Sequence, residues 1–567
     1  MNSKQICIYD TTLRDGTQRE GLSLSLEDKI RIARQLDELG IPFIEGGWPG
    51  ANPKDVQFFW RLKEQPLNQA EVVAFCSTRR PHTTAADDQM LQAILAAGTR
   101  WVTIFGKSWD LQVTAGLNTT LEENLAMIRD TIEYLRSQGR NVIYDAEHWF
   151  DGYKYNPEYA LKTLIAARDA GAKWLVLCDT NGGTLPHEIS KIVRDVIEKT
   201  CHQKGEEGEE GGANLPSRSG HFMPSPSSPF PIPQIGIHTH NDSETAVANA
   251  LAGVLEGVKM VQGTINGYGE RCGNANLCSV IPNLQLKLGY TCIEEDRLTK
   301  LSPASRLISE IVNLAPDDHA PFVGKSAFAH KGGIHVSAVA KNPLTYEHIQ
   351  PEQVGNQRRI VISDQSGLSN ILAKAKSFGH ELDKQDPTCR EILQLIKDLE
   401  SQGYQFEAAE ASFELLMREA LGYREPPFEL KGFHVYCDML QEIEGAYRNC
   451  MATIKVAVNG QEILLEVAEG NGPVSALDRA LRNALVQFYP EIANFYLTDY
   501  KVRILDGGAG TSAKTRVLVE SSNGEQRWTT LGVSTNILEA SYQAVVEGIE
   551  YGLLLRSPKN KIVNSSS

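Results

Sequence analysis

WVTIFG (101–106), TLEENLAMIRDTIEYLRSQG (120–139) and NVIYDAEH (141–148) decide the fold. Two short runs, rich in β-branched and aromatic residues, flank a segment whose apolar residues recur at three- and four-residue spacing. This is the pattern of strand, amphipathic helix and strand. The strands are nearly continuous in hydrophobicity rather than alternating, which marks a parallel sheet covered by helices on both faces. Similar runs stand at QICIYD (5–10), PFIEGG (42–47), EVVAFCS (71–77), KWLVLCDT (173–180), QIGIHTHND (234–242) and VKMVQGTING (258–267). With the first pair they make eight, the number of βα units that closes a (β/α)₈ TIM barrel. An open, doubly wound sheet is the alternative. In SLEDKIRIARQLDELG, Ser25 is a fitting N-cap and Gly40 a fitting stop for the first helix.

The barrel is expected over residues 1–290, and 567 residues exceed what one core can hold. Residues 202–234, rich in Gly, Glu, Ser and Pro, read as a disordered surface insertion between the sixth helix and the seventh strand. Residues 291–427 are helical in pattern and form a linker region, ending near the prolines of REPPFELKGF (424–433). From 428 to 567 alternating strands with two helices predict a C-terminal α+β ligand-binding domain.

A net charge of −15 without a basic stripe argues against a nucleic-acid partner. No run of eighteen apolar residues and no signal-peptide core occur, so neither membrane insertion nor export is expected, and the cytoplasm is the default compartment. The ten cysteines are scattered, with no CxxC, and Cys7, Cys76 and Cys178 fall in apolar strands as free thiols do in a reducing compartment.

Barrel enzymes build their sites at the carboxyl ends of the strands. Here those ends carry Arg14 and Asp15, Glu45, Ser77 to Arg79, Lys107, then Asp145, Glu147 and His148, then Asp179 to Asn181, and finally His238, His240, Asn241 and Asp242. His238 and His240, two apart on an extended segment, point to one side and can share an ion. Alone, such a pair also fits two histidines satisfied within a core; its place at a strand end favours a divalent metal with open positions, Mn, Mg, Zn or Co. Arg14 can pair with Asp10 or Glu20 at the surface, or polarise a carbonyl oxygen beside Asp15. Glu147 is either a rim carboxylate or, with a raised pKa, a base for a proton next to a carbonyl.

DTTLRDGTQ (10–18), HTHND (238–242) and GTINGYGERCGNANL (263–277), in this order, resemble the DRE-TIM metallolyases, which include isopropylmalate, homocitrate and citramalate synthases and hydroxymethylglutaryl-CoA lyases. SAFAHKGGIHVSAV (326–339) and PLTYEHIQPEQVGNQRRI (343–360) resemble the synthases' linker. GNGPVSALDRAL (470–481), DYKVRILDGG (499–508) and NILEASYQAVVEGIEYGLL (536–554) resemble their regulatory domain, which the lyases lack. EGGWPGANPKD (45–55), DAEHWFDGYK (145–154) and CDTNGGTLP (178–186) are most similar to the citramalate synthase branch, whose members condense acetyl-CoA with pyruvate on a threonine-independent route to isoleucine.

The resemblance implies that Asp15, His238, His240 and Asn274 ligate the metal, that Arg14 stabilises charge on the keto oxygen and that Thr180 holds the substrate carboxylate. Glu147 is implied to deprotonate the acetyl methyl. His335 and Tyr346, from the linker of a partner subunit, are implied to assist with the enolate or the hydrolytic water. The Gly-rich segment DGGAGTSAKTRV (506–517), which reads either as a plain surface loop or as backbone able to receive an amino acid, leads us to expect a homodimer whose terminal domain binds isoleucine as effector. The rival readings are 2-isopropylmalate synthase, which takes 2-oxoisovalerate, homocitrate synthase, a lyase running the reverse cleavage, and a silent amino-acid sensor.

Overall fold

The computed structural model describes residues 4–201, 233–437, 450–458 and 462–556. The proposed insertion at 202–234 lies outside the described residues except for Pro233 and Gln234, and Gln234 opens a strand. Contacts divide the chain into two units. One runs to Phe328 and returns for Ile349–Gln357; the other holds Ala329–His348 and the chain from Arg358 onward.

In the first unit eight parallel strands form a closed barrel: β1 (Cys7–Asp10), β2 (Phe43–Gly47), β3 (Glu71–Ser77), β4 (Trp101–Lys107), β5 (Asn141–Glu147), β6 (Trp174–Asp179), β7 (Gln234–Thr239) and β8 (Met260–Gly263). Closure is visible in the register, since β1 pairs with β2 through Tyr9 and Phe43 and with β8 through Cys7 and Met260. The open sheet is thereby excluded. Side chains alternate between two cores, as the two-residue period of a strand requires. Tyr9, Val73, Ile143, Val176 and Met260 fill the barrel, while Ile8, Ala74, Val142 and Leu175 face the surrounding helices. The first helix, Leu26–Leu39, starts at a reciprocal Ser25–Asp28 capping box and stops at Gly40, whose φ of 90° suits glycine. Leu301, Ala304 and Ile308 of the helix Leu301–Ile311 join the same outer core.

In the second unit the helices Leu368–Ser377, Pro387–Ser401 and Glu410–Ala420 bury Ile371, Ile392, Ile396, Phe413 and Met417 together. Two three-stranded antiparallel sheets follow. Strands Phe428–Cys437, Cys450–Val458 and Glu462–Gly470 precede the helix Pro473–Val486, and strands Tyr496–Ile504, Thr515–Ser522 and Arg527–Ser534 precede the helix Ile537–Arg556. Leu477, Leu481, Val517, Val519, Val545 and Ile549 belong to the core they share. No helix among the described residues is long and apolar enough to cross a membrane.

One pair of cysteines departs from the free-thiol pattern. Cys437 and Cys450 stand opposite each other in the first sheet and form a disulfide with their Cα atoms 4.2 Å apart. Strand pairing creates this proximity, which a 13-residue separation conceals in the sequence. Cys7, Cys76 and Cys178 are free and buried as expected.

Candidate active site

The loop after β1 is set by Asp10, which accepts hydrogen bonds from the backbone N–H (2.9 Å) and hydroxyl (2.8 Å) of Thr12. Asp10 therefore does not pair with Arg14. Arg14 instead donates through Nε to Glu45 Oε1 at 2.5 Å, and its guanidinium lies 3.8 Å from the centre of the Phe75 ring. Glu45 is fully buried and also accepts from the Tyr9 hydroxyl at 2.7 Å. Arg14 is thus clamped by a buried carboxylate below and an aromatic face beside it, which presets its direction.

Next to it, Asp15, His238 and His240 offer ligand atoms that all lie within 4.8 Å of one another. The two histidine Nε2 atoms are 3.2 Å apart, and Asp15 Oδ2 lies 3.3 Å from that of His238 and 3.8 Å from that of His240. Asn274 joins them, its Nδ2 being 3.1 Å from Asp15 Oδ2 and 3.0 Å from His238 Nε2. Asp15 Oδ1, Asn274 Oδ1 and His240 Nδ1 are buried without a hydrogen-bond partner. Converging lone pairs and orphaned oxygens in a buried place form a donor set that fits a cation.

Burial opposes ionisation of Asp15, but Arg14 and His238 outweigh it and hold its carboxyl well below the usual range. Burial, then neighbouring His238, pushes His240 down to about 4, leaving a neutral imidazole able to ligate. Gly269 makes room for Asn274: its φ is 154°, and a Cβ there would stand 1.8 Å from Asn274 Oδ1.

Behind the cluster stands a residue that the sequence reading missed. Gln262, fully buried on β8, accepts from His238 Nδ1 at 2.8 Å and donates to Asp145 at 2.9 Å. The acceptor fixes the proton on Nδ1 and leaves Nε2 for the cluster. A polar residue in the run VKMVQG, two after the inward-facing Met260 and so on the same side of the strand, was the signal. Burial, then nearby Glu45, pushes Asp145 up to about 7.

Arg14, Asp15, Asp145, His238 and His240 line a cavity of about 190 Å³ whose walls come from the first unit. Thr180 lines it, and its Oγ1 accepts from the backbone N–H of His148 at 2.8 Å, which frees its hydroxyl proton to point elsewhere. Glu147 lines it as well, paired with Lys107 Nζ at 2.5 Å. Phe75 and Phe105 stack at 5.1 Å with Trp48 edge-on to both, forming an apolar wall. Arg271, another lining residue, donates to Asp242 at 2.7 and 3.0 Å and so ties together the loops after β7 and β8. His335 and Tyr346 belong to the second unit, where their rings lie 4.2 Å apart. The neighbouring His330 is distinct from them, buried in a network with Glu347 and Arg358.

The HMGL-like family matches residues 5–205 and 227–307, the homocitrate synthase post-HMGL domain-like family 322–404, and the LeuA allosteric (dimerisation) domain 407–553. An (R)-citramalate synthase of Synechocystis sp. is 71% identical over 549 residues, covering 97% of this chain and 96% of that protein. The chain belongs to the (R)-citramalate synthase family. Another (R)-citramalate synthase, from Geobacter sulfurreducens, is 53% identical across 96% of this chain and 97% of its own length. A 2-isopropylmalate synthase of Sulfurisphaera tokodaii is 32% identical across 71% of this chain and 93% of its own. Membership of the (R)-citramalate synthases thus extends over barrel, linker and terminal domain alike.

Proposed function

We propose that the chain condenses acetyl-CoA with pyruvate and water to give (R)-citramalate and CoA. The observation carrying this reading is the buried Asp15, His238, His240 and Asn274 set beside a clamped Arg14, in a cavity closed on one side by Trp48, Phe75 and Phe105. Those four residues would hold a divalent ion, Mn, Mg, Zn or Co. Such an ion supplies Lewis acidity and positive charge when bound. Thr180 donates its hydroxyl to the keto-acid carboxylate. Glu147 takes a proton from the acetyl methyl, the resulting enolate carbon bonds to the keto carbon, and Arg14 stabilises the alkoxide that develops on the keto oxygen. Water then cleaves the thioester, releasing CoA and making the overall reaction effectively irreversible. His335 and Tyr346 are assigned to the enolate or to that water.

Release of CoA by the purified protein, followed with pyruvate, 2-oxobutanoate, 2-oxoisovalerate and 2-oxoglutarate, tests the reading. Pyruvate should have the highest kcat/KM; a higher value for 2-oxoisovalerate would move the assignment to isopropylmalate synthesis. We assign the aromatic wall to contact with the keto-acid side chain, which in a larger substrate would crowd it. Phe105→Ala should therefore shift the kcat/KM ratio of 2-oxoisovalerate to pyruvate upward by about tenfold or more, the scale of a few methylenes in an apolar pocket. An unchanged ratio would remove the wall from substrate selection.

Gln262→Leu keeps the bulk of the side chain and deletes its polar atoms. It should weaken metal binding by about 10- to 100-fold, read by direct titration of the metal-free protein, because His238 loses the acceptor that orients it. Unaltered metal affinity would reduce Gln262 to a packing role.

We divide the chain into a catalytic barrel to residue 290, a linker to 427 and a regulatory domain beyond it. Tyr496, Val502 and Ile504 on an edge strand of the regulatory domain are exposed apolar residues, which supports a homodimer through this region. The domain is assigned isoleucine as effector, and the protein as a whole the cytoplasm and isoleucine biosynthesis. A dimer mass in solution and a thermal shift with isoleucine exceeding that with leucine check the first two points.

A further inference from the structure

A second cavity, of about 590 Å³, lies within the second unit between the helix Pro387–Ser401 and the strands Tyr496–Ile504 and Thr515–Ser522. Arg503 and Arg516, both lining it, are direct register partners on those antiparallel strands. Side chains so placed project from the same face about 5 Å apart, and two like charges there repel. Arg516 is half-buried, and among the described residues its hydrogen-bond partners are neutral oxygens, the Gly403 carbonyl at 2.6 Å and the Gln405 side chain. Burial and then Arg503 hold its guanidinium below its ordinary pKa, while Glu400 draws it the other way.

The helix adds Lys397 to the lining. Among the described residues no carboxylate forms an ion pair with Arg503, Arg516 or Lys397. The acidic groups nearby are largely committed. Glu400 accepts from the backbone N–H groups of Asp364 (2.7 Å) and Phe406 (3.3 Å), and Glu407 pairs with Lys331 at 2.7 Å. Three cations without an ion pair, one of them partly desolvated, therefore share the cavity with Asp364 and with Glu400, whose backbone hydrogen bonds do not cancel its charge and which attracts Arg516 without pairing with it. A charge taken from water is ordinarily paired, and the described residues give Arg516 no ion pair here.

We propose that this cavity binds a small multivalent oxyanion, a phosphate compound or a polycarboxylate, which neutralises the Arg503–Arg516 pair and links the linker helix to the sheet through Lys397. The site is separate from the barrel cavity, and the inference does not rest on the reaction assigned there.

Thermal unfolding of the full chain with sodium pyrophosphate or sodium succinate, against sodium chloride at equal ionic strength, provides the test. Either oxyanion should raise Tm in a saturable way, by about 3 °C at 10 mM. Arg503→Gln and Lys397→Gln should each abolish most of that rise. Both side chains are exposed, so the variants should fold, Lys397→Gln with an unshifted Tm in chloride and Arg503→Gln with a Tm no lower than the parent's, since it relieves the repulsion of Arg516. Pyrophosphate alone acting identifies a phosphate ligand, and succinate alone a carboxylate. No saturable rise with either, or a rise that survives both substitutions, overturns the proposal.

Discussion

His240→Ala is expected to yield a folded protein that retains no divalent ion and releases CoA about a thousandfold more slowly than the parent chain. The expectation follows from how little else His240 does. Its Nδ1 has no hydrogen-bond partner and its Nε2 faces only His238 and Asp15, so truncation removes a ligand atom and no structural bond of the barrel. A bound metal contributes several kcal/mol to stabilising developing negative charge, and about 4 kcal/mol corresponds to three decades of rate. Metal content after desalting, circular dichroism and CoA release report the three parts separately. A variant that keeps one ion per chain and more than a tenth of the rate would show that Asp15, His238 and Asn274 suffice.

Arg14→Gln should have two effects that a second substitution separates. It removes the cation aimed into the cavity, for which a loss of about 10²- to 10³-fold in kcat is expected, as for one preset oxyanion donor. It also strands Glu45, a fully buried carboxylate left with the Tyr9 hydroxyl, at a cost of about 3–5 kcal/mol in stability. Adding Glu45→Gln should recover most of the stability, since no buried charge then remains, but none of the turnover. Arg14→Lys keeps the charge and loses the planar fork, so it should fall between parent and Gln variant in rate. If the double variant regains activity together with stability, Arg14 is a structural residue and its catalytic role is wrong.

Much of this architecture is written in local patterns. Apolar runs, separated by helical periodicity, mark every barrel strand to within about four residues; KWLVLCDT, for instance, becomes Trp174–Asp179. VKMVQGTING extends past its strand because the chain turns at Gly263, and Asn266 adopts a φ of 61°, a turn that hydrophobicity does not encode. The His238 and His240 spacing is visible for the same reason, since a two-residue period on a strand puts both rings on one side.

Sequence alone determined the eight βα units, the residue types at their strand ends and the order of barrel, helical linker and α+β domain, because each depends on neighbours a few positions apart. Only the tertiary structure decided who meets whom. Arg14 chooses Glu45 over Asp10 and Glu20, Gln262 bridges His238 to Asp145, Cys437 bonds Cys450, and Arg503 faces Arg516. Barrel closure and strand register bring these residues together across separations of up to 117 positions, as for Gln262 and Asp145. Such contacts are set by backbone pairing across the whole fold, and no local period in the chain records them.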